Sequence, residues 1–183
     1  MFNPLSIIRK PKAFAYRCAC CGKKHIGAPS FSVAQPFLCH DVPKDEFSAR
    51  VTLDSDLCII DGSQFFIRAT LTIPIHNSPD GFVFGDWVSQ SAESFKAYSE
   101  SLGQDQSGQS SFGWWPVTSA AYWKAGEPAA MLKSHVIWQK KGTRPIVILD
   151  PEETHPLAID QSNGISWDKA AALATKLMHP EAP

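Results

Sequence analysis

Hydrophobic and polar positions alternate most regularly between Phe65 and Ile75. Ile67, Ala69, Leu71, Ile73 and Ile75 interleave with Arg68, Thr70 and Thr72, the period-two pattern of a strand with one buried face. A second β-rich run, Arg50 to Ile60, precedes it, and Asp61-Gly62 stands between the two. Asp-Gly between such runs predicts a β-hairpin, with Pro74 marking the strand's end or an edge position. Phe82 to Ser89 reads as a third strand, and Leu132 to Gln139 and Pro145 to Leu149 as two more, joined by a turn at Lys140 to Thr143. The pattern changes to a helical one at Ala92 to Leu102, with Ser91 as N-cap and Phe95, Tyr98 and Leu102 on one face. It changes again at Trp167 to Met178, where Ser166 is the cap and Trp167, Ala170, Ala171, Ala174, Leu177 and Met178 form the stripe. Gly103 to Ser111 is Gly/Ser/Gln-rich and predicts a mobile loop, after which Phe112-Gly113-Trp114-Trp115-Pro116 returns to the core.

These elements predict an α+β fold: an antiparallel meander with helices packed on it and an amino-terminal zinc-knuckle-like turn. The expected organisation is a tail over residues 1–13, a knuckle and Pro/Phe-rich connector over 14–43 and an α+β core over 44–183, all in one domain. Of the 183 residues, 44% are hydrophobic and 19% charged, as in a folded globular chain. A formal net charge of −1 gives no global field for nucleic acid or acidic membranes. No apolar run approaches the ~20 residues of a membrane helix, and the first ten residues place their charges after the apolar stretch, the reverse of a secretory signal. Five cysteines, three of them crowded together, fit a reducing cytoplasm with metal or free thiols better than a disulfide scaffold.

The crowded cysteines carry the sharpest chemistry. Cys18-Ala19-Cys20-Cys21-Gly22-Lys23-Lys24-His25 contains a Cys-x-x-Cys pair closing on glycine. Two thiolates so spaced can grip one ion from a tight turn. Cys18 and Cys21 are the expected primary ligands, with Cys20 turned away and His25 folding back as the third. Cys58 from the hairpin is the expected distant fourth, and Cys39 and His40 are its rivals. The implied cofactor is a structural zinc ion tying the knuckle to the hairpin. Redox chemistry fits less well, because the strand-then-helix setting of a thioredoxin motif is missing.

The remaining candidates are weaker. Asp61 has an ordinary role in a hairpin turn. Arg68, on an otherwise apolar and Thr-rich strand, either pairs with Asp56 or Asp86 or offers its fork to an anion. His155, between Glu152-Glu153 and Pro156, is a general-base candidate or a histidine bonded into a turn. The sequence contains no nucleophile elbow, phosphate-binding glycine loop or His-Glu-x-x-His helix. Trp87, Trp114, Trp115 and Trp123 read mostly as core, with Trp114-Trp115 as a possible exposed patch.

Ordered blocks along the chain resemble an uncharacterised bacterial family, domain of unknown function 2199. They comprise Cys18-x-x-Cys21-Gly22-x-x-His25-x-Gly27-x-Pro29, Ser55-Asp56-x-Cys58-x-Ile60-Asp61 and Phe65-Phe66-Ile67-Arg68. They continue through Ile73-Pro74, Trp87-Val88-Ser89, Phe112-Gly113-Trp114, Arg144-Pro145 and His155-Pro156-Leu157-Ala158, ending at Gln161-x-x-Gly164-Ile165. The resemblance runs from about Tyr16 to Ile165 and implies a small cytoplasmic bacterial protein with no activity to carry over. The chain departs from the family pattern at Trp115 and at the extra Cys20, and the second departure leaves open which thiols hold metal.

The leading functional expectation is a zinc-stabilised, non-enzymatic domain in a binding or accessory role, immunity-like in kind, whose partner meets the Trp114/Trp115 region. The alternative is a small hydrolase-like enzyme whose pocket gathers Asp61, Arg68, Asp86 and His155. A third reading, nucleic-acid binding through the knuckle with Arg17, Lys23 and Lys24 on phosphates, ranks last because the basic patch is small.

Overall fold

A computed structural model describes residues 12–123 and 126–179; of the expected tail, residues 1–11 lie outside them. A small two-stranded sheet, β1 (Ala15–Arg17) and β2 (Lys24–Ile26), forms the knuckle hairpin. The main sheet contains eight strands. Its central pair is the long β6 (Gln64–Pro74) and β7 (Gly81–Gln90), antiparallel over their whole length. The short β3 (Ser30–Ser32) runs along the free edge of β7. The other edge of β6 is shared by β5 (Leu57–Ile60) at its start and β10 (Ile146–Leu149) at Thr70, and β9 (Met131–Ile137) and β8 (Ser110–Pro116) follow.

The sheet is mixed, a correction to the expected antiparallel meander. β10 lies parallel to β6, and β3 lies parallel to β7. Hairpin connections force antiparallel neighbours, whereas β10 reaches β6 after a long excursion and is free to enter in either direction. The predicted first arm also divides. Asp54 Oδ1 accepts hydrogen bonds from the N–H groups of Asp56 and Leu57, at 2.8 and 2.7 Å. This local turn competes with the ladder and makes β4 (Val51–Leu53) and β5 a hairpin of their own. The Asp61-Gly62 turn forms as predicted, with φ of 53° and 62°, the left-handed backbone that such a turn requires.

Ile67, Ala69, Leu71, Ile73 and Ile75 are all buried. Over their face pack α2 (Ala92–Glu100), α3 (Pro156–Asn163) and α4 (Trp167–Met178), forming the main core. Ser91 and Ser166 cap α2 and α4 by accepting from the N–H of Ser94 and Lys169. Helix α3 was not expected; Pro156 at its first turn is pre-set for helix. On the opposite face, a 3₁₀ turn at Phe37–Asp41 and the single-turn α1 (Phe47–Arg50) cover a second cluster of Cys39, Val42, Val51, Cys58, Ile60, Phe66 and Trp87. Among the described residues no helix is long and apolar enough to cross a membrane.

The predicted mobile loop is tethered. Gln106 is buried, and its side-chain amide donates to the Tyr98 carbonyl at 3.0 Å. Beyond it the sheet curls until β8 crosses the end of β7, where Trp114 N–H meets Ser89 Oγ at 3.1 Å. Gly113 sits at that crossing: a Cβ there would lie 2.4 Å from the Ser89 carbonyl oxygen and 2.6 Å from a Val88 methyl. We expect Gly113→Ala to cost about 2 kcal/mol, as overpacking against backbone does, read as a lower denaturant midpoint with an unchanged slope.

Candidate metal centre and the placement of the other site residues

The knuckle turn is built by backbone bonds. Gly22 N–H donates to the Cys18 carbonyl and Cys18 N–H to the Lys23 carbonyl, both at 2.9 Å. Gly22 takes φ 67°, a conformation that costs glycine nothing and most residues over a kcal/mol. The turn faces the carboxyl-terminal end of α4. There the Sγ atoms of Cys18 and Cys21 and a ring nitrogen of His179 all lie within 4.8 Å of one another, a group that could hold a metal ion. Cys18 is buried, Cys21 exposed and His179 half-buried. Two sulfurs bound to one zinc ion at about 2.3 Å stand about 3.8 Å apart, so a group this tight is of ion-binding size.

The surroundings suit an anionic Cys18 sulfur. The backbone of Cys21, helped by the Cys20 backbone and the side chains of Thr175 and Cys21, pulls the Cys18 thiol down to about 6, against the opposing effect of burial. The Nε2 atom of His179 is buried without a hydrogen-bond partner among the described residues. Burying such a group unpaired is costly. His25 stands next to the trio, with Nε2 3.7 Å from Cys21 Sγ; two donors sharing one zinc ion stand about that far apart. The ring of Tyr16, stacked on His25 at 5.1 Å, fixes its orientation. Tyr16 also donates from its hydroxyl to Met178 Sδ at 3.0 Å, and Phe14 meets Trp167 edge-on at 5.3 Å. The knuckle therefore packs on α4, not on the β5–β6 hairpin.

Cys58, the expected distant ligand, lies elsewhere. It pairs with Phe66 in the ladder, and strand alternation places both on the face opposite Ile67. The main core, which contains Cys18, lies on the Ile67 side, while Cys58 and Cys39 share the second cluster. Burial pushes the Cys58 thiol up to about 12 and also raises that of Cys39, the behaviour of inert buried thiols. Cys20 is exposed. His40 lies in the last turn of the 3₁₀ segment with its ring against Phe37. Sequence reasoning missed His179, which stands 158 positions after Cys21 and belongs to no spaced motif; only the docking of α4 brings it near.

The four residues of the expected catalytic pocket are dispersed. Asp61 is clamped at the hairpin tip by Arg50, with both oxygens at 2.7 Å, and that guanidinium holds its carboxyl below the ordinary range. Arg68 opposes Trp87 in the ladder, and Ala69 opposes Asp86, so Arg68 and Asp86 point to opposite faces of the sheet. The Arg68 guanidinium lies 5.6 Å from the Trp87 ring and donates to the Val33 carbonyl at 2.8 Å. Asp56, its other expected partner, is bound by Arg144 at 2.7 Å. His155 is the N-cap of α3, its Nδ1 accepting from Leu157 N–H at 3.2 Å; burial lowers its pKa and keeps the ring neutral. No hydrogen bond among the described residues joins any two of the four. Asp86 alone is deeply buried, accepting from Trp87 N–H at 2.7 Å and from the Thr118 hydroxyl at 2.6 Å.

A sequence model of the family described as "Uncharacterized protein conserved in bacteria (DUF2199)" matches residues 17–165, most of the chain. The chain belongs to this family. No curated protein and no solved structure matches it. The DUF2199 match begins one residue before Cys18 and includes Cys21 and His25, whereas His179 lies 14 positions beyond its end. The donors of the trio therefore come partly from the family segment and partly from the helix that follows it.

Proposed function

We propose that this DUF2199 protein is a zinc-stabilised domain that acts by binding another protein, in an accessory or immunity-like role. The observation that carries the binding role is a sheet face that no other element covers among the described residues. Along β8, β9 and β10 the inward residues Trp115, Leu132, Val136, Val147 and Leu149 are buried. Their outward neighbours Phe112, Trp114, Met131, Ile137, Ile146 and Ile148 are 37–49% exposed. Phe112 and Trp114 pack edge to face at 5.5 Å, and Lys133 and His135 share this face by alternation along β9. A contiguous apolar face with two basic positions suits a partner surface that is apolar and carries carboxylates. Trp115, expected beside Trp114 on such a surface, faces the core instead.

Zinc is the metal that the donor set favours. Two thiolates and two imidazoles form a closed four-ligand shell, the arrangement of structural sites; Cys18, Cys21 and His179 would supply three, and His25, near Cys21 but outside that group, would close on the ion as the fourth. The ion would hold the knuckle to α4, on the far side of the sheet from the exposed face, and so contribute rigidity rather than chemistry.

Affinity capture from the native host, wild type beside Trp114→Glu, tests the binding role. The expected result is one partner, identified by mass spectrometry, retained by the wild type and lost at least tenfold by the variant. Equal retention by both, or no reproducible partner, would overturn it. X-ray absorption on the purified protein tests the metal shell: two sulfur and two nitrogen neighbours support it, and a shell completed by water oxygen argues for a catalytic site instead.

A further inference from the structure

A second site lies where β3, β7, the segment after β8 and helix α4 meet. It encloses about 130 Å³, close to the ~150 Å³ of an apolar cavity that admits benzene. Its walls are mostly apolar, including Phe84, Trp115, Leu157 and Leu177. Among these side chains stands one carboxylate, Asp86, only 5% exposed. Register places it on the main-core face, with Phe84 and Val88 on either side along β7. Among the described residues no cation pairs with it; Arg68, the positive charge that acts on it, lies across the sheet.

A carboxylate in such a setting is disfavoured unless its charge is answered. Thr118 answers part of it with one hydroxyl bond, and the Trp87 N–H answers another part from the strand itself. Neither supplies a positive charge. The cavity also has the composition of a small-molecule site: apolar walls and a few convergent polar groups, here Asp86, Thr118, Ser32 and Ser119. A bound ammonium could donate to the Asp86 carboxylate and to the Thr118 oxygen, while a ring-sized apolar body filled the space between Phe84 and Leu177. Anions are disfavoured by the same carboxylate, and a neutral molecule would leave its charge uncompensated.

We propose that this cavity binds a small monoamine, an ammonium group on an apolar body of about one ring, with Asp86 as the counter-ion. Leu177 stands two residues before His179 on the helix that the metal site anchors. One wall of the cavity is thus set by the docking of α4.

The test is a titration of the isotope-labelled protein, as purified, with benzylamine, benzyl alcohol and benzoate at neutral pH, followed by NMR. The expected result is saturable shifts centred on Phe84, Thr118 and Leu177, with benzylamine at least tenfold tighter than benzyl alcohol and benzoate not binding. Asp86→Asn should bring benzylamine and benzyl alcohol to within a factor of two. Equal binding of amine and alcohol by the wild type, or an amine preference that survives Asp86→Asn, would overturn the proposal, as would no binding of any probe. Should the variant not fold, intermolecular NOEs in the wild type decide. Contacts from benzylamine to the methyls of Thr118 and Leu177 support the site; shifts without those contacts refute it.

Discussion

Treating the protein with a strong chelator, which would strip the proposed zinc, is expected to lower the melting temperature sharply and to free both ends of the described chain at once. Structural zinc contributes on the order of 10 kcal/mol of apparent folding free energy, as much as a domain of this size has in total. The loss should not be uniform. The knuckle hairpin, residues 15–26, and helix α4, Trp167–Met178, meet through Phe14, Tyr16, Thr175 and Met178 as well as through the Cys18, Cys21 and His179 donors. Hydrogen exchange should therefore accelerate first in those two segments, while the β6–β7 ladder opens last. Single variants then separate the donors. His179→Ala and Cys21→Ser should each release the metal at lower chelator concentration. Cys58→Ala should leave metal content at its wild-type value and cost only the stability of a buried side chain. An unchanged melt after chelation, with no metal by elemental analysis, would refute the site. Metal loss in Cys58→Ala but not in His179→Ala would make Cys58 a ligand in place of His179.

The second large effect is a pH dependence traceable to Asp86. Burial raises its pKa to about 6 from an ordinary 3.8, against the lowering effects of Thr118, the Trp87 N–H and Arg68. Because the folded state holds the proton more tightly than the unfolded chain, the carboxyl contributes most below pH 3.8. That contribution declines as the pH rises and is gone above about 6. The difference of roughly two pKa units corresponds to about 3 kcal/mol. Asp86→Asn keeps the shape and removes the titration. In urea unfolding the variant should match the protonated wild type near pH 4 and exceed it by up to about 3 kcal/mol at pH 7.5. A difference between the two proteins that is the same at both pH values would contradict this account. A saturating amine in the Asp86 cavity should reduce the gap at pH 7.5, since it supplies the missing positive charge.

Local patterning made much of the fold legible. The alternation from Ile67 to Ile75 identified the face that turned out buried, and the Asp61-Gly62 turn and the serine caps of α2 and α4 formed as read. The misreadings share a cause. Asp54 divided a strand because its side chain offers the backbone a closer partner than the next strand does, and a hydrophobic pattern does not register that competition. His155, read as a general-base candidate or a histidine bonded into a turn, caps α3, a helix absent from the sequence reading because its apolar periodicity is too weak to stand out. Parallel entry of β3 and β10 followed long connections, for which sequence carries no sign of direction.

For the candidate metal centre, the chain by itself determined the pair. Cys18 and Cys21 are bound to meet because four residues and a glycine close a turn whose geometry is local. Cys58 follows the face of Phe66 and not that of Ile67 only because three residues, Asp61 to Ser63, separate the paired Ile60 and Gln64; a two-residue loop would have reversed the face. What only tertiary structure decided is which distant histidine faces that pair. Docking α4 through Phe14, Tyr16 and Trp167 is a sum of non-directional apolar contacts spread over the whole chain, and no short spacing encodes it. The same docking sets Leu177 against the Asp86 cavity; alternation along β8 puts Trp114 and Trp115 on opposite faces, and the tertiary fold decides that Trp115 is the inward one.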